Sequence, residues 1–285
     1  MAFCHKRKID KFQVNVTNVV EFLTELFQSG NKYESLNTAR SALSAFCTTE
    51  DGYTAGSHPL VVRFMSGVFN LTPPKCKYED TWDVSKVLRY LKTLSPDHNL
   101  TLKLLSQKLA MLIALTQASR CHSLSLITLD GHKQDQDCFT LQYCGLLKQS
   151  RKGRGNPVLQ LRKYSLDRNL CVYSTLVEYI KKTECLRGSE TRLFISYIKP
   201  YKVVTSSTIS RWLKAVMLKS GIDIQKFQSH SIRGASTSKA KIHGVSMNEI
   251  MRVAGWKNDR TFATYYNKPV EDNSFVLSVF HESEN

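Results

Sequence analysis

The apolar residues of this chain change their period twice, and that change limits what it can fold into. Up to position 117 they recur at helical spacing. Val19, Phe22, Leu23 and Leu26 share one face, Leu36, Ala39, Leu43 and Phe46 a second, and Val61, Phe64, Met65 and Val68 a third, while 84–94 and 102–117 continue the pattern. Between 124 and 161 the spacing becomes that of strands, over 124–129, 139–147 and 157–161, with Lys152-Gly153-Arg154-Gly155-Asn156 as a turn between the last two. Helical spacing returns at 172–183, 206–219, 230–243 and 246–254. The expected fold is therefore mainly α with one small antiparallel β-sheet, an α+β class. Thr72-Pro73-Pro74-Lys75 cannot continue a helix and predicts a linker. It divides a helical domain at 1–74 from a larger domain at 78–285.

Charge narrows the partner. Lys and Arg number 40 against 24 acidic residues, a net charge of +16, which suits a polyanion such as nucleic acid but is shared by ribosomal and membrane-surface proteins. The eight cysteines, at 4, 47, 76, 121, 138, 144, 171 and 185, form no Cys-x-x-Cys pair or Cys/His quartet, which argues against a zinc site and reads as reduced thiols inside a cell. The basic N-terminus has no apolar stretch behind it, so it is not a secretory signal, and apolar runs such as 110–115 are too short to cross a bilayer. A soluble intracellular protein with no membrane partner is expected. Lys6-Arg7-Lys8 reads as a solvated terminus or as an aid to nuclear entry, and the expected location is nuclear.

The densest chemistry lies near the C-terminus, in His230-Ser231-Ile232-Arg233, then Gly255-Trp256, then Tyr265-Tyr266-Asn267-Lys268-Pro269. A guanidinium can grip two phosphate oxygens through its planar fork. An imidazole three residues earlier on the same helical face can exchange a proton beside it, and a phenol can attack phosphorus covalently. Together these groups can break a nucleic-acid backbone using side chains alone. The motifs resemble the C-terminal signature of the tyrosine recombinase (phage integrase) family, over roughly residues 82 to 280. The ending Thr-Phe-x-x-x-Tyr-Asn-Lys-Pro at 261–269 is similar to the versions in eukaryotic mobile elements of the Crypton and DIRS type.

The resemblance implies an N-terminal core-binding-like (SAM-like) DNA-binding domain and a tyrosine recombinase catalytic domain, closing as a C-shaped clamp on double-stranded DNA. Self-association to a tetramer on DNA is implied too. Arg120, after a long helix and before the sheet, takes the place of a first phosphate clamp. As a residue in isolation it reads equally as a helix-terminal Arg facing the macrodipole. The family's general acid is a Lys on the turn between the second and third strands. Lys148 is preferred there over Lys152, Arg151 and Arg154, because Leu147-Lys148-Gln149-Ser150-Arg151 resembles the mobile-element form. His230 and Arg233 become the proton group and second clamp, and Trp256, where many members have His, can donate one indole N–H. Tyr266 is the expected nucleophile from the Tyr-Asn-Lys-Pro ending. Tyr265, nine residues after Trp256, is the alternative. The implied activity is strand cleavage and rejoining through a 3′-phosphotyrosyl intermediate, with no cofactor or metal. The rival readings are a catalytically inactive DNA-binding derivative, a type IB topoisomerase-like enzyme, and an unrelated basic interaction module.

Overall fold

The computed structural model describes residues 2–9, 15–74, 77–153, 155–256, 262–263 and 266–269. Arg154 and Tyr265 lie outside the described residues. The chain forms two compact units, Met1–Lys77 and Tyr78–Asn285. No helix among the described residues is long and apolar enough to cross a membrane.

The first unit contains α1 (Ala2–Arg7), α2 (Val16–Gln28), α3 (Tyr33–Phe46) and α4 (Pro59–Leu71). The last three contain the three apolar faces read from the sequence, and two carry a side-chain cap. The Asn15 side chain accepts from the Thr17 N–H at 2.8 Å, and His58 Nδ1 accepts from the Leu60 N–H at 3.2 Å ahead of Pro59 at the first helical position. Their apolar faces meet in a small core of Val19, Leu23, Leu36, Val61, Met65 and Val68. The α1 helix, which the periodicity does not predict, is held on α2 by Arg7 pairing to Glu21 and Glu25 and by Phe3 packed edge-on against Phe22, 5.3 Å between ring centroids.

The second unit is built round α6 (Leu102–Thr116), which follows α5 (Val84–Thr93). Every residue from Leu105 to Ala114 is buried, including Ser106, Gln107 and Lys108. The Lys108 ammonium is accommodated by donating to the Leu94 carbonyl and to Asp97 Oδ1, both at 2.7 Å, while Asp97 Oδ2 accepts from the Thr175 hydroxyl at 2.7 Å. A short helix α7 (Cys121–Ser125) leads into an antiparallel sheet, β1 (Ile127–Gln134), β2 (Cys138–Tyr143) and β3 (Leu159–Arg162), in spatial order β1-β2-β3. Phe139 pairs with Leu161 and Leu141 with Leu159, so one face of the sheet joins the core. The helices α8 (Val172–Thr183), α9 (Ser206–Lys219), α10 (Ser231–Ile242) and α11 (Met247–Ala254) complete the unit.

One expectation is corrected. The strand predicted from position 124 begins instead at Ile127, because 121–125 close a helical turn, with the Leu124 N–H on the Arg120 carbonyl at 3.0 Å. Alternating Leu124 and Leu126 mimic a strand, and so short an apolar run does not distinguish the two. Likewise β2 ends at Tyr143 rather than 147, leaving a longer connection to β3.

The Lys108 site sets a stability test. Lys108→Met would leave the Asp97 carboxylate, 16% exposed, without its cation, and urea unfolding should show a loss of about 3 to 5 kcal/mol. A loss under about 1 kcal/mol would mean that Asp97 is satisfied without it.

Candidate active site

Arg233 lies on the first turn of α10, where Trp82 Nε1 donates to the Ser231 hydroxyl at 2.9 Å and pins the start of the helix. Its side chain is only 3% exposed. Nη1 donates to the Ala118 carbonyl at 2.8 Å and Nη2 to the Ala254 carbonyl. Nε is buried with no hydrogen-bond partner among the described residues. The guanidinium carbon sits 4.6 Å from the centroid of the Trp256 ring. No carboxylate pairs with it among the described residues. Burial first, and then the charge of Arg120, pull the Arg233 guanidinium down to about 10, a shift that Tyr266 opposes. Arg233 is therefore still a cation at neutral pH, in a place that favours an incoming anion.

Arg120 reaches the same cleft by a strained turn. After α6 ends, Ala118 takes a left-handed conformation with φ of 43°, which costs a non-glycine residue roughly 1 to 2 kcal/mol. That turn aims the Ala118 carbonyl at Arg233 and sends Arg120 into the N-cap position of α7. The next residue, Cys121, donates its thiol to the Ser229 hydroxyl at 3.6 Å, and Ser229 shares a 2.7 Å bond with Ser210 of α9. The residue after Arg120 thus touches the residue before His230. Arg120, Arg233 and Gln149 line one cleft of about 890 Å³, whose floor includes Leu112 and Tyr143.

Tyr266 meets a stripe on α10. His230 Nε2 lies 2.9 Å from the Tyr266 hydroxyl. A Cβ built on Gly234 would touch the Tyr266 ring at 3.6 Å, an ordinary contact. The Ser238 hydroxyl donates to the Tyr266 carbonyl at 2.5 Å and accepts from the Lys268 N–H at 3.3 Å. These three positions recur every four residues, so they lie on one helical face. On its other side the tyrosine ring packs on Trp256, 4.4 Å between centroids, with the Arg233 guanidinium 5.7 Å from its own centroid. Trp256 is buried, and its Nε1 has no partner. Further along, the Thr81 N–H donates to the Pro269 carbonyl at 2.8 Å and anchors the chain after Tyr266.

The structure therefore brings together five of the groups that the sequence singles out: Arg120, His230, Arg233, Trp256 and Tyr266. Lys148 is different. It is exposed on the β2–β3 connection, between Leu147 and Gln149, which both line the cleft. Lys152 lies farther along the same connection, also exposed. Tyr265, the alternative nucleophile, is outside the described residues. Three participants escape a sequence reading: Ser238, Gln149 and the Ala118 carbonyl. Only Ser238 has a signal, the His230, Gly234, Ser238 spacing on a helix of small residues.

The sequence profile of the Phage integrase family matches residues 86–271. None of the curated proteins compared with the chain matches it. Among solved structures, XerH site-specific recombinase bound to a palindromic difH substrate superposes with a TM-score of 0.60 at 13% identity, over 94% of this chain and 73% of that one. The Tn1549 transposon integrase in complex with circular intermediate DNA gives 0.58 at 12% identity, over 96% and 87%. A lambda integrase dimer bound to a COC′ core site gives 0.54 at 16% identity, over 91% and 82%. At such identities these structures speak for the fold.

The tether on Tyr266 can be measured separately from any chemistry. Ser238→Ala removes the partner of the Lys268 N–H and of the Tyr266 carbonyl, and chemical unfolding should show a loss of about 1 to 3 kcal/mol. Ser236→Ala is the control, because its hydroxyl bonds only the Arg233 carbonyl one turn back in its own helix, at 3.2 Å. An equal effect of the two would deny the tether.

Proposed function

The chain belongs to the phage integrase family and is a DNA-cleaving tyrosine recombinase, and on that premise we propose that Tyr266 is the nucleophile and that Arg120, Arg233 and Trp256 hold the scissile phosphate. The observation that carries this reading is the pair of buried N–H groups, Arg233 Nε and Trp256 Nε1, left without partners among the described residues in two side chains that pack on each other and on the Tyr266 ring. Buried donors are nearly always satisfied. A phosphate oxygen supplies the acceptor both of them lack. Its negative charge also relieves the repulsion between Arg120 and Arg233.

In the proposed reaction the Tyr266 oxygen attacks phosphorus as its proton passes to His230 Nε2, 2.9 Å away. The P–O bond to the 5′ oxygen breaks, and Lys148 delivers the proton that oxygen needs. A 3′-phosphotyrosyl bond and a free 5′ hydroxyl result. Attack by a 5′ hydroxyl of a partner strand reverses the step, and the phosphodiester energy is conserved in the covalent bond. Preorganised cations and an N–H aimed at the phosphate favour the extra charge of its pentacoordinate transition state. Most of the affinity for double-stranded DNA comes from phosphate contacts and falls with salt.

The finer reading is a site-specific integrase of the eukaryotic mobile-element, Crypton or DIRS, type. The Thr-Phe-x-x-x-Tyr-Asn-Lys-Pro ending supports it. With that reading go a nuclear location, a core-binding DNA-contacting role for the first unit, and a tetrameric synapse. The lambda integrase that superposes on this chain is a dimer on its core site, which supports self-association on DNA.

The nucleophile can be read directly. A duplex enriched by binding from a randomised pool, then nicked so that the cleaved end is lost, should trap a covalent adduct, and mass spectrometry should map it to Tyr266. Tyr266→Phe should abolish the adduct and keep DNA affinity. A linkage at Tyr265 would move the nucleophile, and no linkage at either tyrosine would favour a non-catalytic DNA-binding protein.

Arginine is required for its fork as well as its charge. Arg120→Lys and Arg233→Lys should each slow single-turnover cleavage by a factor on the order of 10² to 10³, about 3 to 4 kcal/mol, with little change in binding. Near-normal cleavage by either variant would show that it does not clamp the phosphate.

A further inference from the structure

The turn that bears Lys148 is built more firmly than its exposure suggests. The Ser150 N–H donates to the Leu147 carbonyl at 2.9 Å, and the Leu147 N–H donates to the Ser150 hydroxyl at 2.8 Å. That hydroxyl donates on to Asn156 Oδ1 at 2.5 Å, and Asn156 Nδ2 donates to the Gly145 carbonyl at 2.7 Å. The two arms of the β2–β3 connection are thus tied to each other, and Lys148 and Gln149 form the tip of a closed four-residue turn.

Gln149 is what fixes this tip to the rest of the site. Its side-chain amide lies against Gly255, where an added Cβ would overlap it. Gly255 is constrained twice, because it also ends α11 in the left-handed conformation, with φ of 63°. The residue after it is Trp256, which packs on both Arg233 and Tyr266. A lysine ammonium on a four-carbon stem sweeps a wide volume, so its reach to one atom depends on where its Cα is held. Among the described residues, the atoms nearest a Cβ at Gly255 all belong to the side chain next to Lys148.

We propose that Gln149 is a positioning residue: its side chain, laid over Gly255, seats the Lys148 turn against the phosphate clamp. The proposal rests on the assignment of Lys148 as the general acid. The contact is one of shape, so length at position 149 matters more than hydrogen bonding. A missing seat harms only the proton transfer to the leaving oxygen.

A leaving group that needs no proton tests this. The enriched duplex is made with a bridging 5′-phosphorothiolate at the cleavage position, and single-turnover cleavage is compared with the all-oxygen duplex. Gln149→Ala should slow cleavage of the oxygen substrate at least 10-fold, with unchanged binding and thermal unfolding, and the sulfur substrate should restore it to within about 3-fold of the parent. Gln149→Met, which keeps the length, should cleave the oxygen substrate at close to the parent rate. Adding Gln149→Ala to Lys148→Ala should cost nothing further, since both remove one function. If sulfur rescues Lys148→Ala but not Gln149→Ala, or if Gln149→Ala cleaves oxygen normally, Gln149 does not seat the lysine. If sulfur fails to rescue Lys148→Ala itself, the general-acid assignment fails and this proposal falls with it.

Discussion

The structure depends on keeping one cation, Arg233, dry. Moving a guanidinium out of water costs several kcal/mol even after relaxation, and no carboxylate among the described residues offsets it. What it has are two carbonyls and the face of an indole. Both carbonyls come from helix ends, Ala118 just beyond α6 and Ala254 at the last residue of α11. Such carbonyls have no partner within their helix and carry the negative end of its dipole, so they suit a cation. They leave its charge uncompensated, and that residual charge is what the proposed phosphate would meet.

Much of the neighbouring architecture follows from that requirement. The strained Ala118 both supplies one carbonyl and launches Arg120. Gly255 ends α11 by a left-handed turn that delivers Trp256 onto the guanidinium and leaves room for Gln149. The start of α10 is pinned by Trp82, and its stripe of His230, Gly234 and Ser238 receives Tyr266. The cation is thus carried, and the phenol received, by one helix, with Trp256 packed against both.

The groups proposed to do the chemistry were legible through residue type and family resemblance. His230 and Arg233 stand at a spacing that helix geometry can read, Trp256 and Tyr266 entered through the resemblance, and α5, α6, α8, α9, α10 and α11 follow from apolar period and caps. Illegible were the α7 turn, where Leu124 and Leu126 alternate like a strand, and α1, a short helix held by Arg7 pairing with two glutamates and by the single aromatic contact of Phe3 with Phe22. The burial of Lys108 was equally hidden, because it depends on an acceptor from a separate segment and a threonine on α8.

The sequence by itself determined which reactive groups the chain owns and which of its longer segments are helical, since both depend on residue identity and spacing of a few positions. Only the tertiary structure decided the environment of those groups. That Arg233 loses water, that its Nε and the Trp256 N–H are left without acceptors among the described residues, that Ser238 ties down the Tyr266 carbonyl and the Lys268 N–H and that Gln149 occupies the space of a missing Cβ all depend on atoms up to 115 residues apart in the chain. Desolvation and close contact are properties of packed neighbours, and a local pattern of residues does not record which neighbours arrive.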